Sequence, residues 1–213
     1  MNQSEKLFEE YLEKQRIKFS MHFSVNSNNN KNVDFRLSKN AQVILCDVKE
    51  VRDSEGQPRI REERLGGRNT AQDHIRGDIK KLRDKFTSPP AVPVMLVSMN
   101  FSSDAFTALT VSRALMGEIG VIFERGSEHN VSVVHHLHAG NASVRQQMNT
   151  SISGLFLFDT ADGNHCLFRS PYATHEIQSD FFSGIKILDL CKTETQDNII
   201  KLSKIMFWNR NQG

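Results

Sequence analysis

The chain has 213 residues, of which 24% are charged and 38% hydrophobic, and its formal net charge is +2. That length allows one large domain or two small ones, with a sizeable core, and so even a balance does not announce a nucleic-acid binder by bulk charge. Three scattered cysteines exclude a disulfide scaffold, and no apolar run is long enough to span a bilayer.

The polar, acidic stretch from Met1 to Glu13 is unlike a signal peptide. A reducing, cytoplasmic setting without a membrane is therefore the expectation. Ser4 serves as an N-cap for a first helix, on which Leu7, Phe8, Tyr11 and Leu12 form one apolar stripe. Glu5 and Glu9 stand four apart and border that stripe. Residues 24 to 32 are mostly Ser, Asn and Lys and read as a loop.

Two strands follow, Val33–Leu37 and Val43–Val51, with turn chemistry at Ser38-Lys39-Asn40 between them. The second is the anomaly of the chain. A run of four apolar residues leads directly into Asp47 and Lys49. An acid and an amine at the end of a buried strand are costly unless they are paired or hold a ligand. Alternation puts Asp47 and Lys49 on one face and Val48 on the other. If the two strands pair antiparallel, Asp34 reaches that same face.

Arg52 to Gly67 is a charged, glycine-containing connection, read either as a loop that closes over a neighbouring site or as plain disorder. Thr70 or Asp73 caps a second helix through about Phe86, with Ile75, Ile79, Leu82 and Phe86 as its core stripe. Gln72, Arg76 and Lys80 lie on a neighbouring face. Between residues 59 and 85 the basic side chains, from Arg59 to Lys85, outnumber the acidic ones. That excess fits a phosphate backbone or, equally, a solvated helix face. Val92–Ser98 is a strongly apolar strand expected to lie parallel to 43–51 through a right-handed crossover.

Beyond residue 100 the pattern predicts a helix over 104–116, strands over 120–123 and 131–137, and a hairpin of 154–158 with 165–168. A strand over 185–190 and a terminal helix over 199–208 complete the core. His136 and His138 share a strand face. No cysteine or carboxylate near them completes a zinc set, so strand-edge and substrate-contact roles outweigh a metal site.

Asp34, then Asp47-x-Lys49 at the end of an apolar strand, with a glutamate on the preceding helix, resembles the PD-(D/E)xK nuclease superfamily. The resemblance covers roughly the first hundred residues. It departs from the family at Val33, where proline is common, and at Asp47, where glutamate is commoner. The fold it implies is α/β, a restriction-endonuclease-like core with a central mixed sheet flanked by helices. Residues 1–213 would form a single nuclease-like domain, with core motifs in 1–100 and a sheet extension with C-terminal elements in 101–213.

The activity it implies is metal-dependent hydrolysis of phosphodiester bonds, most simply of DNA, with Mg²⁺ or Mn²⁺. Asp34, Asp47 and the Val48 carbonyl would hold the ion. Lys49 would orient the water or stabilise developing charge, or act as a base if a metal lowered its pKa. Glu5, or Glu9 in its place, would be the helical glutamate, and Gln72, Arg76 and Lys80 would contact phosphate. A homodimer would suit cutting of both strands. The alternatives are a non-catalytic nucleic-acid-binding or protein-interaction module with Asp47 and Lys49 as a buried pair, and an unrelated α/β domain with a chance D-x-K.

Overall fold

The structure is a computed structural model that describes residues 2–26, 31–51, 70–101, 108–125, 131–139, 143–144, 149–160, 163, 165–190, 194–196 and 199–201. Its centre is a seven-stranded mixed sheet flanked by helices, as the α/β expectation requires. Helix α1 (Gln3–Lys14) is followed by β1 (Lys18–Asn26), β2 (Lys31–Lys39) and β3 (Gln42–Val51). After α2 (Thr70–Arg83) come β4 (Val94–Asn100), α3 (Ala108–Met116), β5 (Glu118–Arg125) and β6 (Val131–Ala139). The chain continues through β7 (Ile152–Asp159), β8 (His165–Arg169) and β9 (Lys186–Asp189) to the short β10 (Glu194–Gln196) and β11 (Ile199–Lys201).

The order across the large sheet is β1-β2-β3-β4-β7-β8-β9. Strands β1, β2 and β3 are antiparallel neighbours, β3, β4 and β7 run parallel, β7 and β8 form a hairpin, and β9 lies parallel to β8. All seven residues of β4 are buried. This is the signature of a parallel strand covered on both faces, and Val94–Asn100 contains no charged residue to oppose it.

The two faces carry separate cores. Phe8, Tyr11 and Leu12 of α1 pack on Phe35, Cys46 and Val48 of the first face, with the Phe8 and Phe35 rings edge-to-face at 5.4 Å. Ile75, Ile79 and Leu82 of α2 cover Leu45, Val51 and Leu96 on the second. Odd-numbered β3 residues therefore face α2, and even-numbered ones face α1. At the far side of the sheet, Gly154 lets β7 approach β8 closely. A Cβ there would stand 2.6 Å from the Phe168 carbonyl oxygen.

Several expectations are corrected. The N-cap of α1 is Asn2, not Ser4. Asn2 accepts from the Glu5 N–H through its side chain, and its own N–H donates to Glu5 Oε2 at 3.0 Å, a complete capping box. Residues 24 to 26, expected in a loop, end strand β1, whose Phe19, Met21, Phe23 and Val25 alternate with polar neighbours. The β2–β3 turn is centred on Asn40 and Ala41, both with positive φ (49° and 62°), the geometry a two-residue hairpin needs. The helix expected over 199–208 begins instead as β11, paired antiparallel with β10. Its residues 202–208, like the connection over 52–67, lie outside the described residues. Strands β5 and β6 form a separate two-stranded sheet. Among the described residues no helix is long and apolar enough to cross a membrane.

Candidate functional site

The β2–β3 ladder runs from Lys39↔Gln42 to Phe35↔Cys46. One residue further along each strand stand Asp34 and Asp47. On its other side, the β1–β2 pairing passes from Met21↔Phe35 to Phe23↔Val33, over His22, whose φ is 51°. Strand β2 thus leaves its regular ladders at Asp34. The two carboxylates fill the gap. The Asp34 N–H donates to Asp47 Oδ1 at 3.2 Å, and the Val48 N–H donates to Asp34 Oδ2 at 2.8 Å. Each acid carries backbone hydrogen bonding that the opposite strand gives up at the fork.

Two amines complete the cluster. Lys49 Nζ lies 3.4 Å from Asp34 Oδ2 and 3.6 Å from Asp47 Oδ2. Lys85 Nζ lies 2.5 Å from Asp47 Oδ2 and 3.9 Å from Asp34 Oδ1. The expected convergence of Asp34, Asp47 and Lys49 on one face is present. Lys85 was visible in the sequence only as a member of the basic run. It stands two residues past the end of α2, where no periodicity marks it, and only the packing of α2 against β3 brings it to the acids.

The Asp47 side chain is 0% exposed, whereas that of Asp34 is 17% exposed. Burial raises the Asp47 pKa, and the facing Asp34 raises it further, against the pull of the Lys85 and Lys49 ammoniums. Burial pushes Lys49 down, yet Asp47, Asp34 and the nearby Asp78 of α2 outweigh it and hold its pKa above the ordinary lysine value. The partners are unequal because Asp47 loses more hydration and faces a second acid. On the opposite side of β3, burial pushes the Cys46 thiol well up, which fits the small core residue expected there.

The remaining expected site residues fall elsewhere. Glu5 is buried and its carboxylate is held in the capping box of α1. That helix end is tied to β3 by the Ser4 N–H, which donates to Glu50 Oε1 at 3.3 Å. Glu9 is half-buried on the same helix. At Val48 it is the N–H that joins the cluster. On α2, Gln72 is buried and Lys80 is exposed. Arg76 donates to the Arg113 carbonyl at 3.0 Å, which ties α2 to α3. These three therefore do not form one surface. His136 pairs in register with Val121 and His138 with Ile119 on the separate β5–β6 sheet.

Asp47 Oδ2 is the atom by which the fit of a divalent cation is judged. It is buried, and the cations that meet it are the Lys85 ammonium at 2.5 Å and the Lys49 ammonium at 3.6 Å. A hard oxygen that meets cations, beside a second carboxylate, suits Mg²⁺ or Mn²⁺, which keep several waters and need only one or two carboxylates. Among the described residues no group of three or more His, Cys, Asp or Glu side chains is placed to hold a metal. No family model matches the chain, and neither a curated protein nor a solved structure does.

Proposed function

We propose that this protein is a metal-dependent nuclease with a restriction-endonuclease-like core, acting most simply on DNA. The observation that carries the reading is the meeting of Asp34, Asp47 and Lys49 at a fork between two strands, around a buried carboxylate oxygen whose partners are ammoniums. The element order supports it: a helix, three antiparallel strands, a second helix and a strand parallel to the third. Asp34 and Asp47 would hold Mg²⁺ or Mn²⁺, with the Val48 carbonyl as a further oxygen. When bound, such an ion supplies a more acidic water and screens phosphate charge.

The chain's own groups do the rest. The Val48 N–H fixes the Asp34 carboxylate, and the Asp34 N–H fixes that of Asp47, so both acids are oriented before substrate arrives. Lys49, partly exposed and held charged by its acids in the metal-free site, stabilises the negative charge that develops on the phosphate. Glu5, whose carboxylate closes the α1 cap, enters the reading only as the helical glutamate that the resemblance implies. Lys80 and the neighbouring basic side chains would meet the nucleic-acid backbone.

A second reading has one observation in its favour. Two carboxylates and two ammoniums balance each other without any added ion, which suits a non-catalytic binding module. Incubation of the protein with plasmid and with single-stranded DNA and RNA, in Mg²⁺, Mn²⁺ or EDTA, separates the two. Cleavage that needs metal and is lost in Asp47→Ala and Lys49→Ala is the expected result. Metal-dependent cutting that survives both substitutions assigns the chemistry to another place, and binding without cutting selects the module.

A further inference from the structure

We infer that Lys85 is a tethered cation seated between Asp34 and Asp47, so that a divalent ion enters the site only by displacing it; this rests on the nuclease reading above. The Lys85 ammonium is the group nearest the buried Asp47 Oδ2, at 2.5 Å, and its 3.9 Å distance to Asp34 Oδ1 puts it between the two acids. Lys49 is farther from Asp47 Oδ2, at 3.6 Å, and sits toward the other Asp34 oxygen. Of the two amines, Lys85 therefore stands where a cation shared by both carboxylates would stand. A divalent ion in that seat would meet the ammonium at contact distance, where like charges repel strongly.

The delivery of Lys85 fits this part. Past α2 the backbone tightens: the Lys85 N–H donates to the Leu82 carbonyl at 3.2 Å and the Phe86 N–H to the Arg83 carbonyl at 3.1 Å. The turn is fastened to β2 by Lys31, whose ammonium donates to the Asp84 carbonyl at 2.6 Å. A fixed backbone therefore carries a flexible four-carbon stem. The ammonium can leave the acids by rotamer change alone, with the turn in place. In the absence of metal it balances a carboxylate that would otherwise be buried opposite a second acid, which would oppose folding. The fold is thereby independent of the ion that the site takes up.

Removing Lys85 leaves two carboxylates against one ammonium, a stronger seat for a divalent ion. Mn²⁺ binding to the purified full-length protein, followed by the electron paramagnetic resonance of free Mn²⁺, tests this in wild type, Lys85→Met and Asp47→Asn. The expected result is binding about tenfold tighter in Lys85→Met than in wild type and lost in Asp47→Asn. The melting midpoint of Lys85→Met should fall in EDTA and recover with Mn²⁺ by more than wild type gains. Reductive methylation of wild-type lysines, mapped by mass spectrometry, gives a reading that no folding defect can obscure. Mg²⁺ should speed labelling of Lys85 severalfold and leave Lys80 and Lys81 unchanged. Mn²⁺ affinity that Lys85→Met leaves unaltered, or Lys85 labelling that Mg²⁺ does not change, overturns the tethered cation while the metal site stands. Absence of Mn²⁺ binding in every variant overturns the metal site and this inference together.

Discussion

On β8 and β9, Arg169 meets Asp189 side by side, Nη2 to Oδ2 at 2.8 Å with Nε on the other oxygen, and Nη1 donates to the Ile177 carbonyl and Ser179 Oγ, each at 3.0 Å. On β2 and β3, two acids face each other and share two flexible amines. Both clusters lie on the same sheet, yet the first matches one planar cation to one carboxylate that is itself 59% exposed. The second buries Asp47 completely and sets one of its oxygens against two ammoniums. Arg169 also lines a cleft of about 340 Å³ with Ser153, Ser170 and Glu176. The size of that cleft is a poor guide to chemistry, because its arginine is already engaged by Asp189, the Ile177 carbonyl and Ser179. A planar, matched ion pair ties strands together, while buried acids crowded together and balanced by flexible amines mark a candidate site.

The largest effect expected from this contrast is on cleavage. Asp47→Asn keeps the shape of the fork and removes the charge, and should lower metal-dependent cleavage by on the order of 10²–10³-fold, with the far-ultraviolet circular dichroism unchanged. Arg169→Met should leave cleavage as it is and lower stability by about 1–2 kcal/mol in urea unfolding. That figure is modest because Asp189 is largely hydrated. If Arg169→Met abolished cleavage without unfolding the protein, the far cluster would belong to the site and the contrast would be wrong.

Alkali should act on one cluster and spare the other. An arginine keeps its charge at any pH the fold survives, whereas Lys49 can lose its proton. Its folded pKa lies above the ordinary 10.5, so the stability it contributes is fully present below about 10.5 and drains away as pH rises through the higher folded value. In EDTA, the difference in unfolding free energy between wild type and Lys49→Met should stay constant from neutrality to pH 10 and shrink above it. The difference between wild type and Arg169→Met should stay flat over the same range. Parallel decline of both would show that general alkaline unfolding, not Lys49, is being read.

What could be read in the sequence were the features that depend on neighbours a few residues away. Alternation and a short turn were enough to bring Asp34, Asp47 and Lys49 together, and the apolar 92–98 run declared a parallel central strand. Strand β1 carries the alternation of a half-buried strand, Phe19, Met21, Phe23 and Val25 between polar residues, but the Ser- and Asn-rich run that follows drew residues 24–26 into the expected loop. The cap was misplaced although Asn2 and Glu5 have the three-residue spacing of a capping box, because Ser4 competed for the same role. The start of β11 was read as helix because Ile199 and Ile200 fit either period, and pairing with β10 decides between them. Lys85 was beyond reach. Its part depends on where α2 docks, and a charged residue after a helix end looks the same in sequence whether it meets water or a buried acid.

Glu5 gives the smallest expected effect and the sharpest test of where the fork cluster ends. Its carboxylate closes the capping box at Asn2, a role that glutamine fills as well as glutamate at that position. Glu5→Gln should therefore hold the unfolding free energy within about 0.5 kcal/mol of wild type, and α1 should stay tied to β3 through Ser4 and Glu50. Any loss of cleavage in that variant then reports on the charge alone, since cap and packing are preserved. The nuclease reading expects a loss on the order of tenfold, partly offset by raised Mn²⁺. Unchanged cleavage would confine Glu5 to the helix end, and the cluster would comprise only the groups that β2, β3 and the turn after α2 bring to it.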